Sequence, residues 1–232
     1  MDGVINVHKP AGLTSYDVVR FLKRAFRPQV KIGHAGTLDP LAEGVLLVCL
    51  GQATRLTQSL MLLEKEYVAC LLLGVETDTL DREGKILAQR PVTVSPEKLK
   101  EIILSFQGEI KQVPPSVSAL KYQGLPLYKH HRQGRVIVPP ARTVFIREIE
   151  ILRIDLPEVE FRVLCSRGTY IRSLCRDIGE AAGCGGIQIS LLRRRIGPFR
   201  IEESCSLPEI EKKGIDSVLM GLPEVIARLK SA

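Results

Sequence analysis

The stretch from Lys31 to Gly51, KIGHAGTLDPLAEGVLLVCLG, constrains the fold more than any other part of the chain. It opens with a loop whose two glycines can adopt the positive φ angles of sharp turns. Asp39 follows directly before Pro40, and a residue that precedes proline is disfavoured in the helical region, so we predict non-helical backbone there. The run from Val45 to Leu50 is apolar on both faces, which is typical of a strand in the middle of a sheet. The sequence therefore predicts a carboxylate on a short loop that leads into the core.

Local chemistry leaves two interpretations of Asp39 open. An aspartate before a proline is a common turn opener, so the dipeptide on its own favours a structural turn. The alternative is a catalytic carboxylate that the glycine-rich loop holds in place.

The hydrophobic pattern of the remaining chain mixes strands with helices. Apolar runs and alternation predict strands at residues 4–7, 67–73, 144–154, 159–165 and 187–192. Helical spacing predicts one helix from a Ser15 cap to about Phe26, a second from a Ser95 cap to Gly108, and a third after Tyr170.

Positive charge is concentrated in one segment of the chain. The formal net charge is +7, and the interval from Ile110 to Arg147 holds no acidic residue but seven basic ones. Such a field is the electrostatic signature of a polyanion partner, for which nucleic acid is the first choice and a solvated basic face is the alternative. The predicted first helix also has a basic outer side, which consists of Arg20, Lys23, Arg24 and Arg27. This side is either a further RNA surface or an ordinary solvated face.

Residues 114–140 are irregular, with five prolines and with basic residues interleaved among tyrosines and histidines. A long irregular stretch inside a compact domain is normally functional or disordered, and aromatic rings can stack on unpaired bases. We predict a mobile arm at about residues 110–142 that closes over RNA. Its contact residues are predicted to be Lys111, Lys121, Tyr128, Lys129, Arg132, Arg135 and Arg142.

No pattern of a metal site, a disulfide framework or a membrane segment is evident in the sequence. The six cysteines include no close CxxC pair and are typical of small buried hydrophobes, and the four histidines lack ligand spacing. No apolar run approaches the roughly 20 residues that span a bilayer, and the N-terminus has no signal-peptide pattern. We expect no metal, no membrane association and a cytoplasmic location.

Several motifs together resemble the TruB family, the bacterial synthases that form pseudouridine at position 55 in the T-loop of tRNA. The segment HAGTLDPLAEGVL, which contains Asp39, resembles the family's signature loop. The resemblance extends from Val4 to about Leu207. Four further segments resemble family motifs in the expected order: Lys65–Tyr67, Thr77–Asp81, Pro114–Lys121 and Arg167–Arg172. It implies an α+β fold with a mixed, largely antiparallel central sheet flanked by helices, the pseudouridine-synthase fold with an inserted RNA-gripping arm.

The resemblance also implies a role for individual residues. Asp39 would be the nucleophile or the catalyst of glycosidic-bond cleavage. Tyr67 would stack beneath the target uracil, and Tyr170 would supply a second aromatic contact. Arg172 would pair with the Asp39 carboxylate and keep it ionised and aimed.

Two further roles come from the same resemblance. Leu191 would line the pocket, and His34 would wedge into the T-loop and hold the nucleotide out. Without the resemblance, plain core packing would be the better interpretation of Leu191 and of the two tyrosines.

The implied reaction needs no cofactor. It breaks the bond from ribose C1′ to uracil N1, rotates the base and rejoins it through C5, so no atom other than a proton leaves. The base must first be flipped out of the T-loop, which explains the need for a stacking platform and an arm. Three routes stay open for the aspartate: attack on uracil C6, attack on ribose C1′, or abstraction of the 2′ proton.

The resemblance suggests a domain division. Residues 1–207 correspond to the catalytic domain with its arm, and residues 208–232 form a short extension. Many relatives continue into a C-terminal RNA-binding PUA domain, and the 32 residues after Arg200 are too few for one, so we expect weaker tRNA binding than in a longer relative.

Three functions remain as interpretations of the sequence. The first is a stand-alone synthase that acts on the tRNA T-arm as a monomer with no obligatory protein partner. The second is the catalytic subunit of a guide-RNA machine, which shares the GTLDP loop. The third is a non-catalytic RNA-binding module, for which the basic arm alone would suffice.

Overall fold

The structure is a computed structural model that describes residues 1–231 of the chain. Its strands are β1 (Gly3–Lys9), β2 (Ile32–Ala35), β3 (Glu43–Leu50), β4 (Lys65–Leu73), β5 (Val75–Thr77), β6 (Ile86–Gln89), β7 (Gly108–Gln112), β8 (Lys121–Tyr122), β9 (Leu125–Pro126), β10 (Arg142–Asp155), β11 (Glu158–Cys165), β12 (Gly186–Ile196), β13 (Phe199–Arg200), β14 (Cys205–Ser206) and β15 (Met220–Gly221). Its α-helices are α1 (Ser15–Phe26), α2 (Thr57–Leu62), α3 (Pro96–Ser105), α4 (Leu127–Arg132), α5 (Ile171–Ala181), α6 (Leu207–Lys213), α7 (Ile215–Val218) and α8 (Leu222–Lys230). Short 3-10 helices cover Gly51–Leu56 and Ile201–Glu203.

The chain folds into two compact units. Unit 1 contains Met1–Tyr67 together with the chain from Leu191 onward, and unit 2 contains Val68–Ser190. The chain therefore passes between the units inside β4 and again inside β12. Strands in both units are mostly antiparallel and are combined with helices, which confirms the predicted α+β class with a mixed sheet.

Strand β3 is the centre of unit 1. It pairs antiparallel with β1 and with β2, and it runs parallel to β12 at Leu192 and Arg193. Every residue from Val45 to Leu50 is fully buried, so the prediction of a strand inside a sheet is confirmed. Gly44 lies directly opposite Arg193 with a φ of 105°, and a Cβ there would lie 2.3 Å from the Arg193 carbonyl oxygen. This close approach of two strands requires glycine.

Helix α1 is confirmed, but the predicted cap residue is wrong, because Ser15 is already the first helical residue. Thr14 is the N-cap and forms a capping box with Asp17, in which each side chain satisfies a backbone N–H of the other residue. The Ser15 hydroxyl instead accepts a hydrogen bond from the Leu38 N–H at 2.8 Å and donates to the Leu38 carbonyl at 3.0 Å. The side chain of the first helical residue is thus used to hold the loop that precedes Asp39.

Unit 2 is built on the antiparallel pair β10 and β11, with β7 on the other side of β10. The strands predicted at 144–154 and 159–165 and the helix after Tyr170 are confirmed. Ser95 caps α3 through the Lys98 N–H, as predicted.

The segment between β7 and β10 begins and ends at one place in unit 2, because Gln112 and Arg142 are paired partners at the ends of these strands. We define this segment, residues 113–141, as the arm. The prediction of an irregular stretch is partly wrong, because the arm contains the β8–β9 hairpin and the helix α4. His130 on α4 is buried and its Nε2 lies 3.0 Å from the Tyr122 carbonyl oxygen, so the two elements pack as one small body.

Residues 207–230 form the helices α6, α7 and α8, which pack within unit 1. Ile210 and Ile215 belong to the core beneath α1, and Val225 belongs to the core on the other face of β3. Within residues 1–231, no helix is long and apolar enough to cross a membrane.

Candidate active site

Asp39 lies on the loop that joins β2 to β3. Gly36 starts the turn with a φ of 93°, and the residues from Gly36 to Asp39 have no regular secondary structure, as predicted. The Asp39 side chain is partly exposed. Two backbone hydrogen bonds close the loop, from the Ala42 N–H to the Asp39 carbonyl at 3.1 Å and from the Gly12 N–H to the Pro40 carbonyl at 2.8 Å.

Lys9, at the end of β1, contacts the part of this loop that follows Asp39. Its ammonium group is fully buried and donates to the carbonyl oxygens of Pro10 at 2.8 Å, Leu13 at 2.6 Å and Pro40 at 3.4 Å. Burial and the positive charge of Arg193 together lower the pKa of Lys9 to about 8, although the Asp39 carboxylate acts in the opposite direction.

Arg193, on β12, contacts the part of the loop that precedes Asp39 and is only 1% exposed. Its guanidinium donates to the carbonyl oxygens of Val45 at 2.7 Å, Gly36 at 3.0 Å and Thr37 at 3.4 Å. Burial lowers the pKa of Arg193, while the Tyr67 side chain, which is hydrogen-bonded to the guanidinium, and the Asp39 carboxylate raise it. The planar fork of arginine therefore joins the backbone before Asp39 to the strand after it.

Three of the predicted site residues in unit 1 interact with this guanidinium, and a fourth lies on the same strand. Tyr67 is 8% exposed and hydrogen-bonds to Arg193 through its side chain, and Asp39 interacts with Arg193 electrostatically. Leu191 lies two residues before Arg193 on β12, and both side chains are buried. Burial and the charge of Arg193 lower the pKa of His34, which favours the neutral imidazole. The roles predicted for these residues stay predictions.

Unit 2 holds the other two predicted site residues at the start of α5. The Tyr170 N–H donates to Gln112 Oε1 at 2.7 Å, and the Tyr170 side chain is partly exposed. Arg172 is 5% exposed and donates to the carbonyl oxygens of Thr79 at 2.8 Å and Val117 at 2.9 Å.

An acidic residue near Arg172 lies inside unit 2. The Asp81 carboxylate is 3.4 Å from the Arg172 guanidinium, accepts from the Thr79 hydroxyl at 2.6 Å, and is itself nearly buried. Arg172 thus joins the loop after β5 to the root of the arm at Val117. Its predicted pairing with Asp39 stays a prediction.

The arm and its two flanking strand ends carry the predicted RNA contacts on their surface. Arg132 lies over the Tyr128 ring at 5.7 Å from the ring centroid, which keeps this tyrosine beside a cation. Tyr128 is partly exposed, and the six basic residues of the predicted set are all exposed: Lys111, Lys121, Lys129, Arg132, Arg135 and Arg142.

Sequence reasoning missed Lys9, Asp81 and Arg193. A signal for Arg193 was present, because side chains two residues apart share a face of a strand and Leu191 was predicted to line the pocket. No comparable local pattern marks Lys9, whose partners are main-chain carbonyls of two loops. Within residues 1–231, no group of three His, Cys, Asp or Glu side chains is placed to hold a metal ion.

Comparison with known proteins gives three findings. The family model for the TruB family pseudouridylate synthase N-terminal domain matches residues 23–171. A relative from Alkaliphilus oremlandii, named tRNA pseudouridine synthase B, is 45% identical over 233 residues, which cover 100% of this chain and 78% of the relative. A relative of the same name from Clostridium acetobutylicum is 48% identical over 226 residues, which cover 97% of this chain and 78% of the relative.

The third finding is a similar chain in a solved crystal structure of a Cbf5-Nop10-Gar1 complex. It superposes with a TM-score of 0.71 at 37% identity, over 90% of this chain and 54% of that one, so the present chain spans about half of its length. The matches confirm the resemblance drawn from the sequence motifs and the predicted pseudouridine-synthase fold. The chain therefore belongs to the TruB family of pseudouridylate synthases.

Proposed function

We propose that this protein isomerises the uridine at position 55 of the tRNA T-loop to pseudouridine, with Asp39 as the catalytic carboxylate. Isomerisation of uridine in tRNA is the activity named for its relatives of 45–48% identity. The observation that carries the assignment of Asp39 is the construction of its loop. Three buried side chains, Lys9, Ser15 and Arg193, are committed to hydrogen bonds with the main chain on either side of this one carboxylate.

Such a loop suits the chemistry of the reaction. A preorganised carboxylate needs no reorganisation when it reacts, whereas a flexible one loses rate through misplacement. When the bond between C1′ and N1 breaks and C5 joins C1′, the hydrogen on C5 leaves as a proton and N1 gains one. The product has the same composition as the substrate, so no cofactor is consumed.

The uracil has to leave the T-loop before Asp39 can reach it, and extrusion costs a few kcal/mol of stacking. We assign Tyr67 and Tyr170 as the rings that contact the flipped base, Leu191 as a pocket wall and His34 as the group that holds the nucleotide out. We assign Arg172 as a partner of the Asp39 carboxylate. The exposed cations of the arm bind the phosphates of the T-arm.

The proposal includes action as a monomer in the cytoplasm without an obligatory protein partner. Support comes from the near-complete coverage of this chain by relatives that are named tRNA pseudouridine synthase B, a name that mentions no partner subunit. A second candidate is the catalytic subunit of a guide-RNA machine, which the Cbf5-Nop10-Gar1 likeness favours. The two tRNA pseudouridine synthases are 45% and 48% identical to this chain, against 37% for the chain of the complex, which favours the first candidate.

The experiment is to incubate the purified chain with an unmodified tRNA transcript and map pseudouridine at nucleotide resolution. The control is the same transcript with cytidine at position 55. We expect pseudouridine at position 55 of the first transcript and none in the control. Modification at another position would refute the T-loop assignment. Modification only after addition of guide RNA and partner proteins would establish the second candidate.

A further inference from the structure

Helix α1 carries a stripe of one aromatic and four basic side chains on its outer side. The members are four, three or one residues apart and fall within about 100° of the helix circumference, opposite the buried Val18 and Leu22. We call this set the α1 stripe: Tyr16, Arg20, Lys23, Arg24 and Arg27. All five members of the stripe are exposed, and the stripe is about 16 Å long at 1.5 Å per residue.

The charge of the stripe is almost entirely uncompensated. Asp17 is the one acidic residue of the helix, and it is already used by the capping box with Thr14 and by an ion pair with Arg20. Among residues 1–231, no acidic side chain pairs with Lys23, Arg24 or Arg27. The sequence contains no acidic residue between Asp17 and Asp39, so the surrounding loop adds no negative charge.

Two features make the stripe unfavourable for the helix itself. Like charges three and four residues apart repel one another, and the four cations occupy such positions repeatedly. Arg27, the C-cap residue, has a left-handed backbone with φ 45° and ψ 47°, a conformation for which glycine is the usual choice. A cation is therefore present where folding alone favours a residue without a side chain. Strained positions of this kind cluster at functional sites.

The stripe has a fixed relation to the Asp39 loop, because both lie in unit 1. The Ser15 hydroxyl at the start of α1 is hydrogen-bonded to both main-chain groups of Leu38, the neighbour of Asp39. Three stripe cations, Arg20, Lys23 and Arg24, also border an open groove of about 740 Å³, whose other lining residues are Leu13, Asp17, Phe21 and Leu207.

We propose that the α1 stripe binds the phosphate backbone of the substrate tRNA as a second contact surface, separate from the arm. The inference rests on the proposed function for the identity of the polyanion. Phosphates of one strand are spaced roughly 3.4 Å along a duplex axis, so the 10 Å or so from Arg20 to Arg27 covers about three of them. The stripe acts on tRNA affinity and takes no part in the chemical step.

The test compares two triple variants with equal loss of charge. The stripe variant is Lys23→Gln, Arg24→Gln and Arg27→Gln, and the control variant is Lys98→Gln, Lys100→Gln and Lys230→Gln. The control positions are exposed and lie on α3 and α8. Glutamine is a good helix former and removes the repulsion within the stripe, so both proteins are expected to fold, which circular dichroism verifies. The measurements are the Kd for an unmodified tRNA transcript between 50 and 200 mM salt and the rate of pseudouridine formation at saturating tRNA.

Each lost phosphate contact lowers the slope of log Kd against log salt by about 0.7, so three contacts lower it by about 2. Over this fourfold change in salt, the Kd of the wild type is then expected to rise about 18-fold more than that of the stripe variant. The saturated rate should stay unchanged. A stripe variant with the same Kd and slope as the control variant would overturn the proposal, and so would a loss confined to the saturated rate. Because binding is measured without turnover, an inactive wild type would refute the proposed function and leave this comparison valid.

Discussion

Replacement of Arg193 by lysine should loosen the Asp39 loop while it preserves the buried charge. The guanidinium serves Val45, Gly36 and the Tyr67 side chain, with a longer contact to Thr37. Lysine offers a single nitrogen on a flexible stem, so it cannot reach all the acceptors that are spread around the edge of the planar guanidinium.

The size of the effect follows from the acceptors left behind. At least two of the four would lose their donor, and each buried unsatisfied polar group costs about 1–3 kcal/mol. We therefore expect Arg193→Lys to lower the free energy of unfolding by about 2–6 kcal/mol. A displacement of Asp39 by about 1 Å would lower the rate constant of isomerisation on the order of 100-fold.

Urea unfolding and single-turnover kinetics with a tRNA transcript measure these two quantities. The matched control is Arg194→Lys, whose side chain is 43% exposed and pairs with Glu202 on the surface. The control should stay within about 0.5 kcal/mol of the wild type. If Arg193→Lys unfolded like the control and kept the full rate, the guanidinium would not be what positions the loop.

Three further predictions concern other parts of the molecule. Asp81→Asn removes the carboxylate beside the buried Arg172, so urea unfolding should show a loss of about 1.5–3 kcal/mol; an unchanged value would show that the pair contributes nothing to stability. The pKa of Lys9 is about 8 in the folded state against 10.5 unfolded, so the unfolded state binds more protons between these values. The unfolding free energy of the wild type relative to Lys9→Met should therefore rise from about pH 8 to 10.5, and a flat difference would contradict the burial of a titrating ammonium. Arg132→Gln combined with Arg135→Gln should lower the salt slope of tRNA binding by about 1.4 with the saturated rate unchanged, and an unchanged slope would exclude these arm cations as phosphate contacts.

Much of the fold could be predicted from the sequence because the signals are local. The apolar run of β3, the alternation of β10 and β11 and the serine-proline start of α3 each specify an element from neighbouring residues alone. The arm was harder to predict, because α4 has six residues and is stabilised by the contact of His130 with Tyr122 rather than by its own pattern. The short C-terminal helices likewise depend on burial of their apolar residues in the core of unit 1.

The site could be predicted only in part, for a related physical reason. Asp39 and its loop form one sequence motif, so the resemblance identified them directly. The groups that hold the loop are distant in sequence, and Arg193 is 157 positions from Gly36, to whose carbonyl it donates. The sequence predicts Ser15 as an N-cap, because hydroxyls near a helix start usually cap that helix, whereas its hydroxyl is hydrogen-bonded to Leu38. Such contacts become visible only when the strands are in place.

The central claim is that Asp39 carries out the reaction, and release of tritium from a tRNA transcript labelled at uridine C5 tests it most directly. Wild type and Asp39→Asn are compared in a single turnover, with tRNA binding measured on the same samples. We expect about one equivalent of tritium from the wild type and none from the variant, with similar affinity for tRNA, because binding depends on the basic surfaces. Release by Asp39→Asn at the wild-type rate would contradict the claim.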